Sequence, residues 1–405
     1  HWLDLGYWIV GFAALVMLVA LVSGVVIHRK LFRELFTFRP GSNRQRKVLD
    51  LHNLTGVAAL PFHFIFALSG LIIFAGIYFP VSETVLKPVA LADASKQAAA
   101  SGLSLEPAGV PAPLASVDAM VAEAKRRWAA RGMPGEVGWL TVTHVDDAKG
   151  FVSVHRAGSD RVALVGQGVH FEAATGRVLR EEPAPSTVTS INEFLTGLHL
   201  QHFKHWLLRW FYVLGGLAGA VCIATGLLFF VGKRQQRHAT LGVSGARWVD
   251  ALAVTCITGM LVATVAMLVA NRALPEQLPH RGDWQERCFW LVWLATFGHA
   301  VWRSAPVRQA RLSPAWREQC AALAALALSA VLLNWLTTGD HLLLTLEREY
   351  WPVAGFDLAL LAGASLAAFT ARQLSRRERE QRATGALADE EALPSSPNSE
   401  APAHG

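Results

Sequence analysis

Between Asp50 and Glu83 the chain carries no Asp, Glu, Lys or Arg. That uncharged stretch, LHNLTGVAALPFHFIFALSGLIIFAGIYFPVS, is long enough to cross a bilayer core as one helix. His52 and His63 both sit on it. Eleven residues at about 100° each return to nearly the same face, and a rise of about 1.5 Å per residue sets the rings roughly 16 Å apart along one axis. Ionisable side chains at membrane depth are rare and usually functional. Two imidazoles in one line at two depths suit the stacking of two haems in a bundle. The plainer reading makes His52 an interfacial residue and His63 a polar contact between helices.

Composition fits a polytopic membrane protein. Of 405 residues, 52% are hydrophobic and 17% charged, and the mean hydropathy is +0.32. The four cysteines (Cys222, Cys256, Cys288 and Cys320) fall one per apolar run without CxxC spacing, so they read as small core residues. The net charge of +6 comes from basic loops and calls for no nucleic acid. The sequence has no P-loop, no GxGxxG after a strand and no HExxH, so any redox chemistry here imports its electrons.

Seven spans are expected, at about 5–27, 50–83, 206–231, 248–270, 287–302, 318–338 and 352–371. Seven Lys or Arg between Arg29 and Lys47, the KRQQRH run, the loop RSAPVRQARLSPAWR and the closing RQLSRRERE mark one side as cytoplasmic, with the C-terminus there. The segments read as 1–83 (two spans and a basic loop), 84–190 (an outward hydrophilic domain with an N-terminal linker), 191–237 (third span), 238–375 (four spans) and 376–405 (a largely disordered tail). Within the outward domain, 115–132 has the spacing of an amphipathic helix, and alternating runs at 137–145, 151–157 and 161–181 suggest a small antiparallel sheet. Between Val81 and Trp206, 12 Lys or Arg against 13 Asp or Glu select no charged partner. His1 stands outside with no Met, signal peptide or basic flank before it, so the chain is expected to lack an earlier helix.

Several stretches together resemble the PepSY-associated transmembrane helix family of iron-regulated membrane proteins. They are HRKLFRELFTFRPG (28–41), LDLHNLTGVAALPFHFIFALSGLIIF (49–74), HFEAATGRVL (170–179) and LTGLHLQHFKHWLLRWFYVLGGLAGAVCIATGLLFF (195–230). The resemblance implies an all-α polytopic membrane protein with a small α+β PepSY-like periplasmic domain between the second and third spans. It also implies placement in the bacterial inner membrane and two b-type haems, each held by two histidines. Electrons would pass from a cytoplasmic or quinol donor to a periplasmic ferric-siderophore or other ferric chelate.

The family pattern and helical phase together make His52 and His63 ligand candidates for the haem iron. His199, at the family's LH position, is a candidate for the outer haem. His28 reads either as the partner of His52 across one iron or as part of the basic loop, and His1 as the LH position of a first repeat. His202 and His205, with Lys204 and Arg209, read as substitutes for His199 or as a cationic collar for propionates. His299 is the other histidine at the depth of His63. His144, His155 and His170 read as surface histidines of the outward domain, and Asn334 and Asp357 as scattered polar residues that define no proton path. Competing readings are a haem-free sensor or regulator anchored in the membrane, and a siderophore transporter.

Overall fold

Pro61 shapes the uncharged stretch. It has no N–H to donate and its ring crowds the carbonyl four residues earlier, so a helix breaks or kinks there. The computed structural model describes residues 2–27, 41, 43–78, 103, 106–163, 167–183, 187–241, 245–303 and 313–391. In it α1 (Trp2–Ile27) is followed by α2 (Arg44–Ala58), α3 (Leu60–Ile73) and a short α4 (Ala75–Tyr78). Asn43 caps α2 by accepting the Arg46 N–H at 2.9 Å. With Pro61 in its first turn, α3 leaves α2 at a bend of 60°. The single straight helix expected from the absence of charge is therefore two helices.

Among the described residues, five helices are long and apolar enough to cross a membrane: Leu5–Ile27, Trp206–Arg234, Arg247–Ala273, Pro314–Thr338 and Trp351–Glu380. Counting the bent pair as one span makes six, against the seven expected. The remaining helix, α10 below, does form. Arg287 and Arg303 bracket its apolar part, and roughly 15 residues at about 1.5 Å each fall short of the about 20 that a bilayer core requires.

Contacts divide the chain into two units, residues 1–223 and 224–405. In the first, α1 lies against α3 and α4. The Tyr78 hydroxyl donates to the Tyr7 carbonyl at 3.0 Å, and a Cβ on Gly11 would collide with the Tyr78 ring. The same unit holds a domain built on α5 (Val117–Ala130) and the sheet β1 (Val137–Thr143), β2 (Phe151–Arg156), β3 (Gly168–Glu172) and β4 (Val178–Glu181), antiparallel in sequence order. Ser116 caps α5. Its buried Met120, Ala124 and Trp128 meet Val152, Val154, Val169 and Phe171 from alternate strand positions. Gly176, at φ +73, makes the tight β3–β4 turn, where the Thr175 hydroxyl and Arg177 both donate to the Glu172 carboxylate. Two further helices complete this unit: α6 (Thr187–Leu200) and α7 (Trp206–Leu241), the latter as far as Ile223.

In the second unit, the rest of α7 is followed by α8 (Ala246–Val254), a π-helical turn (Thr255–Gly259), α9 (Met260–Ala273), α10 (Arg281–Arg303), α11 (Pro314–Thr338), α12 (Leu342–Glu347) and α13 (Trp351–Glu391). Val231, Ala251, Val254, Ala300, Ala315 and Trp316 form its core. Neighbouring side chains secure the π turn: the Trp293 indole donates to the Thr255 carbonyl at 3.2 Å, and a Cβ on Gly259 would collide with the Thr296 hydroxyl. Asn334 and Asp357 are not scattered. Arg272 donates to Asn334 Oδ1 at 2.8 Å, and Asp357, 2% exposed, stands against the same pair. The tail departs from expectation too, because α13 continues through Glu391. Its last turns, ATGALADEE, are rich in helix formers despite their lack of large apolar residues.

Two outcomes follow for the sheet domain. Trp128→Ala, at a position 1% exposed, should cost about 3–5 kcal/mol and lower the protease resistance of this domain. Asp147 accepts backbone N–H groups from Ala108 (2.8 Å), Lys149 (2.8 Å) and Gly109 (2.7 Å), pinning 106–112 to the β1–β2 hairpin. Those donors hold its carboxyl below the usual aspartate pKa. The stability it adds is therefore full above the unfolded-state pKa and lost as pH falls through the lower folded value. Hydrogen-exchange protection factors across 106–112, taken against the intrinsic rate at each pH, should fall on acidification in the native chain, and should already be low at neutral pH in Asp147→Ala.

Candidate functional site

The interface of α2 and α3 with α6 and α7 holds the three described ligand candidates. On α2, His52 presents Nδ1 to the Cys222 carbonyl of α7 at 2.8 Å, with Cys222 Sγ at 3.4 Å. A carbonyl only accepts, so Nδ1 carries a proton, and in the neutral ring Nε2 is then the nitrogen with the lone pair. Near the end of α6, His199 presents Nδ1 to the Ser69 hydroxyl of α3 at 2.9 Å. That hydroxyl already donates to the Ile65 carbonyl at 2.5 Å, so it accepts from His199, and again Nε2 is the basic nitrogen. Burial holds His199 below the ordinary imidazole pKa, which keeps the ring neutral as a metal ligand must be. An Nδ1–H bound to a protein acceptor is the support that orients a ligating histidine.

His63 is placed differently. Its Nε2 faces the α7 backbone, where a Cβ on Gly219 would come within 2.5 Å of it. The 60° bend also cancels the phase relation drawn between His52 and His63 on one straight helix. Both now meet α7 one turn apart, at Cys222 and Gly219, which is about 4.5 Å of rise. A different pair of histidines stands at two levels. The His199 ring lies 5.8 Å from Phe66, which is 5.3 Å from Tyr212 on α7. Tyr212 and Cys222 are ten residues apart, so His199 and His52 stand at levels about 15 Å apart along α7. Phe62 and Phe203 complete an edge-to-face aromatic cluster around Tyr212 at 5.5 and 5.8 Å.

Glycines make room for the rings. A Cβ on Gly70 would sit 3.0 Å from His199 Cε1, and one on Gly56 would sit 3.2 Å from Cys222 Sγ. Ser69 and Gly70 are the SG of SGLIIF, and Gly215 and Gly219 form a small-xxx-small pair, the sequence sign of closely approaching helices. Sequence reading passed over that pair and took Cys222 for plain core. His28 and His1 lie outside the described residues. His299 belongs to the second unit and is engaged by Glu318 at 3.0 Å. His202, Lys204, His205 and Arg209 are all exposed around the α6–α7 connection.

The sheet domain holds a second polar cluster. His155 is buried and stacked on Trp139 at 3.7 Å, and its ring lies 5.8 Å from that of His170. His170 bonds the Ser153 hydroxyl at 2.7 Å and faces Glu182 at 3.8 Å. Burial pushes His155 below its usual pKa. Burial also pushes Glu182 up, but His170 and the Gly168 N–H outweigh it and leave the carboxyl low. These two are therefore not ordinary surface histidines. Among the described residues no three His, Cys, Asp or Glu side chains converge as a metal site.

Gly219→Ala tests the packing. In an open helix this exchange stabilises by up to about 1 kcal/mol. Here the new methyl meets His63 Nε2, so the melting temperature should fall, and pairing it with His63→Ala should recover the loss.

Residues 1–233 match the family described as PepSY-associated TM region. The chain is also 25% identical over 295 residues to the uncharacterized protein PA4219 of Pseudomonas aeruginosa strain PAO1, covering 69% of this chain and 71% of that protein. A family match across more than half of its length makes this chain a membrane protein of the PepSY-associated TM region family.

Proposed function

We propose that this chain is a haem-binding electron-transfer protein of the bacterial inner membrane, with two b-type haems and a ferric-siderophore or other ferric chelate as electron acceptor. The observation that carries this reading is the pair His52 and His199. Each is tethered through Nδ1 to a neighbouring helix, which leaves Nε2 as the nitrogen for a metal, and the two stand at levels about 15 Å apart along α7. The surroundings fit the group: glycines flank the rings where a Cβ would close the space, and an aromatic cluster lines the His199 level. His52 and His199 would each hold a haem iron. His28, His1 and His63 are the further ligand candidates.

Haem, when bound, supplies one-electron transfer at an iron with no open coordination position. Within this chain the Cys222 carbonyl and the Ser69 hydroxyl fix the imidazole orientation, and Phe62, Phe66, Phe203 and Tyr212 exclude water around His199. The exposed His202, Lys204, His205 and Arg209 supply cationic groups for carboxylates. In this proposal the sheet domain lies on the periplasmic side, the C-terminus is cytoplasmic, and α10 is a seventh, short span. The donor is a quinol or a separate flavoprotein. Reducing the ferric ion to ferrous weakens its hold on hard oxygen donors and so releases it.

The full chain purified from haem-replete cells should be coloured, with Soret and α bands that sharpen on dithionite addition. His52→Ala and His199→Ala should each remove about half of the haem, and the double variant nearly all of it. Full haem in the double variant would end the assignment of these two ligands. A colourless native preparation would favour the haem-free regulator.

A further inference from the structure

We propose that the cleft between the start of α11 and the later turns of α13 is a binding site for a phosphate-bearing anion. The two helices lie antiparallel, and at this end they flank an open cleft of about 470 Å³ lined by Arg317, Glu318, Arg372, Ser375, Arg376 and Arg379, with Ala321 and Ala371 completing the wall. This site lies in the second unit and stands apart from the histidine reading.

The charges within the cleft are unequal in what they already do. Arg317 is engaged, to Glu318 at 3.1 Å and Glu378 at 3.0 Å. Glu318 is further neutralised by Arg303 and is in contact with His299. Among the described residues, Arg372, Arg376 and Arg379 pair with no carboxylate. They fall at i, i+4 and i+7, with Ser375 at i+3, so three guanidinium groups and a hydroxyl line one stripe of α13. Like charges at that spacing destabilise a helix unless an anion lies among them.

A positive-inside signal counts charges without regard to helix face. Arg377 carries the same charge on the same turns but is not part of the cleft wall. The planar guanidinium fork matches two oxygens of a phosphate, and a hydroxyl donor among such forks completes a site for that group. The apolar Ala321 and Ala371 beside it suit the glycerol edge of a phospholipid. The cleft stands where the apolar part of α13 gives way to charge, the depth at which headgroup phosphates lie. Two sources share this chemistry: an anionic phospholipid headgroup and a free phosphate.

The test uses the full chain in nanodiscs of phosphatidylcholine with a minor fraction of fluorescent phosphatidylglycerol, and measures energy transfer from protein tryptophan. A second arm adds inorganic phosphate as competitor. We expect enrichment of phosphatidylglycerol that falls about fivefold for each of Arg372→Gln, Arg376→Gln and Arg379→Gln, with Arg377→Gln unchanged and every melting temperature retained. Arg376→Lys should recover only part of the loss, since lysine keeps the charge and not the fork. Displacement by millimolar phosphate supports the site with the free anion as ligand, and retention against phosphate supports it with the lipid. Equal weakening by Arg377→Gln, or no preference over phosphatidylcholine in the native chain together with no phosphate binding, overturns it.

Discussion

Everything in the membrane part of the first unit depends on how closely α3 approaches α7. Gly215 and Gly219 remove the side chains that would hold the two backbones apart, and Phe62 and His63 fill the resulting groove. Within lipid there is no hydrophobic drive to join apolar helices, so close van der Waals packing and a few polar contacts must do it. The His52 bond to Cys222 and the His199 bond to Ser69 are such contacts, and they are also what aims the rings. Packing and ligand geometry are thus one construction. A change at a glycine reaches the imidazole without touching it.

The sheet domain was legible in the sequence because its signals are local. Apolar residues at i, i+4 and i+8 and alternating strands each act within a few residues, and the fold carries both. The histidine site was legible only in part. His52 and His199 were marked by position, but their mutual levels depend on the break at Pro61 and on which residues of α7 they meet, and both are tertiary facts. Counting 100° per residue across a proline assumed a helix that the ring of Pro61 does not allow. The small-xxx-small pair on α7 was available as a signal and would have pointed to the same interface.

Other misses share a cause. Asn334 and Asp357 are far apart in sequence, and Arg272 is farther still, so only the packing of α9, α11 and α13 gathers them. His155 and His170 sit on adjacent strands whose pairing places both on the face of the sheet opposite α5. Periodicity assigns each residue a face but does not report what covers that face. The extension of α13 to Glu391 shows the converse: local propensity alone sustains a helix where no apolar stripe called for one.

The π turn at Thr255–Gly259 has a consequence for the helix beyond it. One additional residue in a single turn advances the phase of all that follows by about 100°, so α8 and α9 present their side chains in two different frames along one rod. Arg272 faces Asn334 in the shifted frame. Were the turn to relax to an ordinary α-helix, the guanidinium would swing by more than a quarter revolution and leave the Asp357 carboxylate with Asn334 but without its counter-charge. The wide turn therefore sets the azimuth of a charge placed more than three turns away.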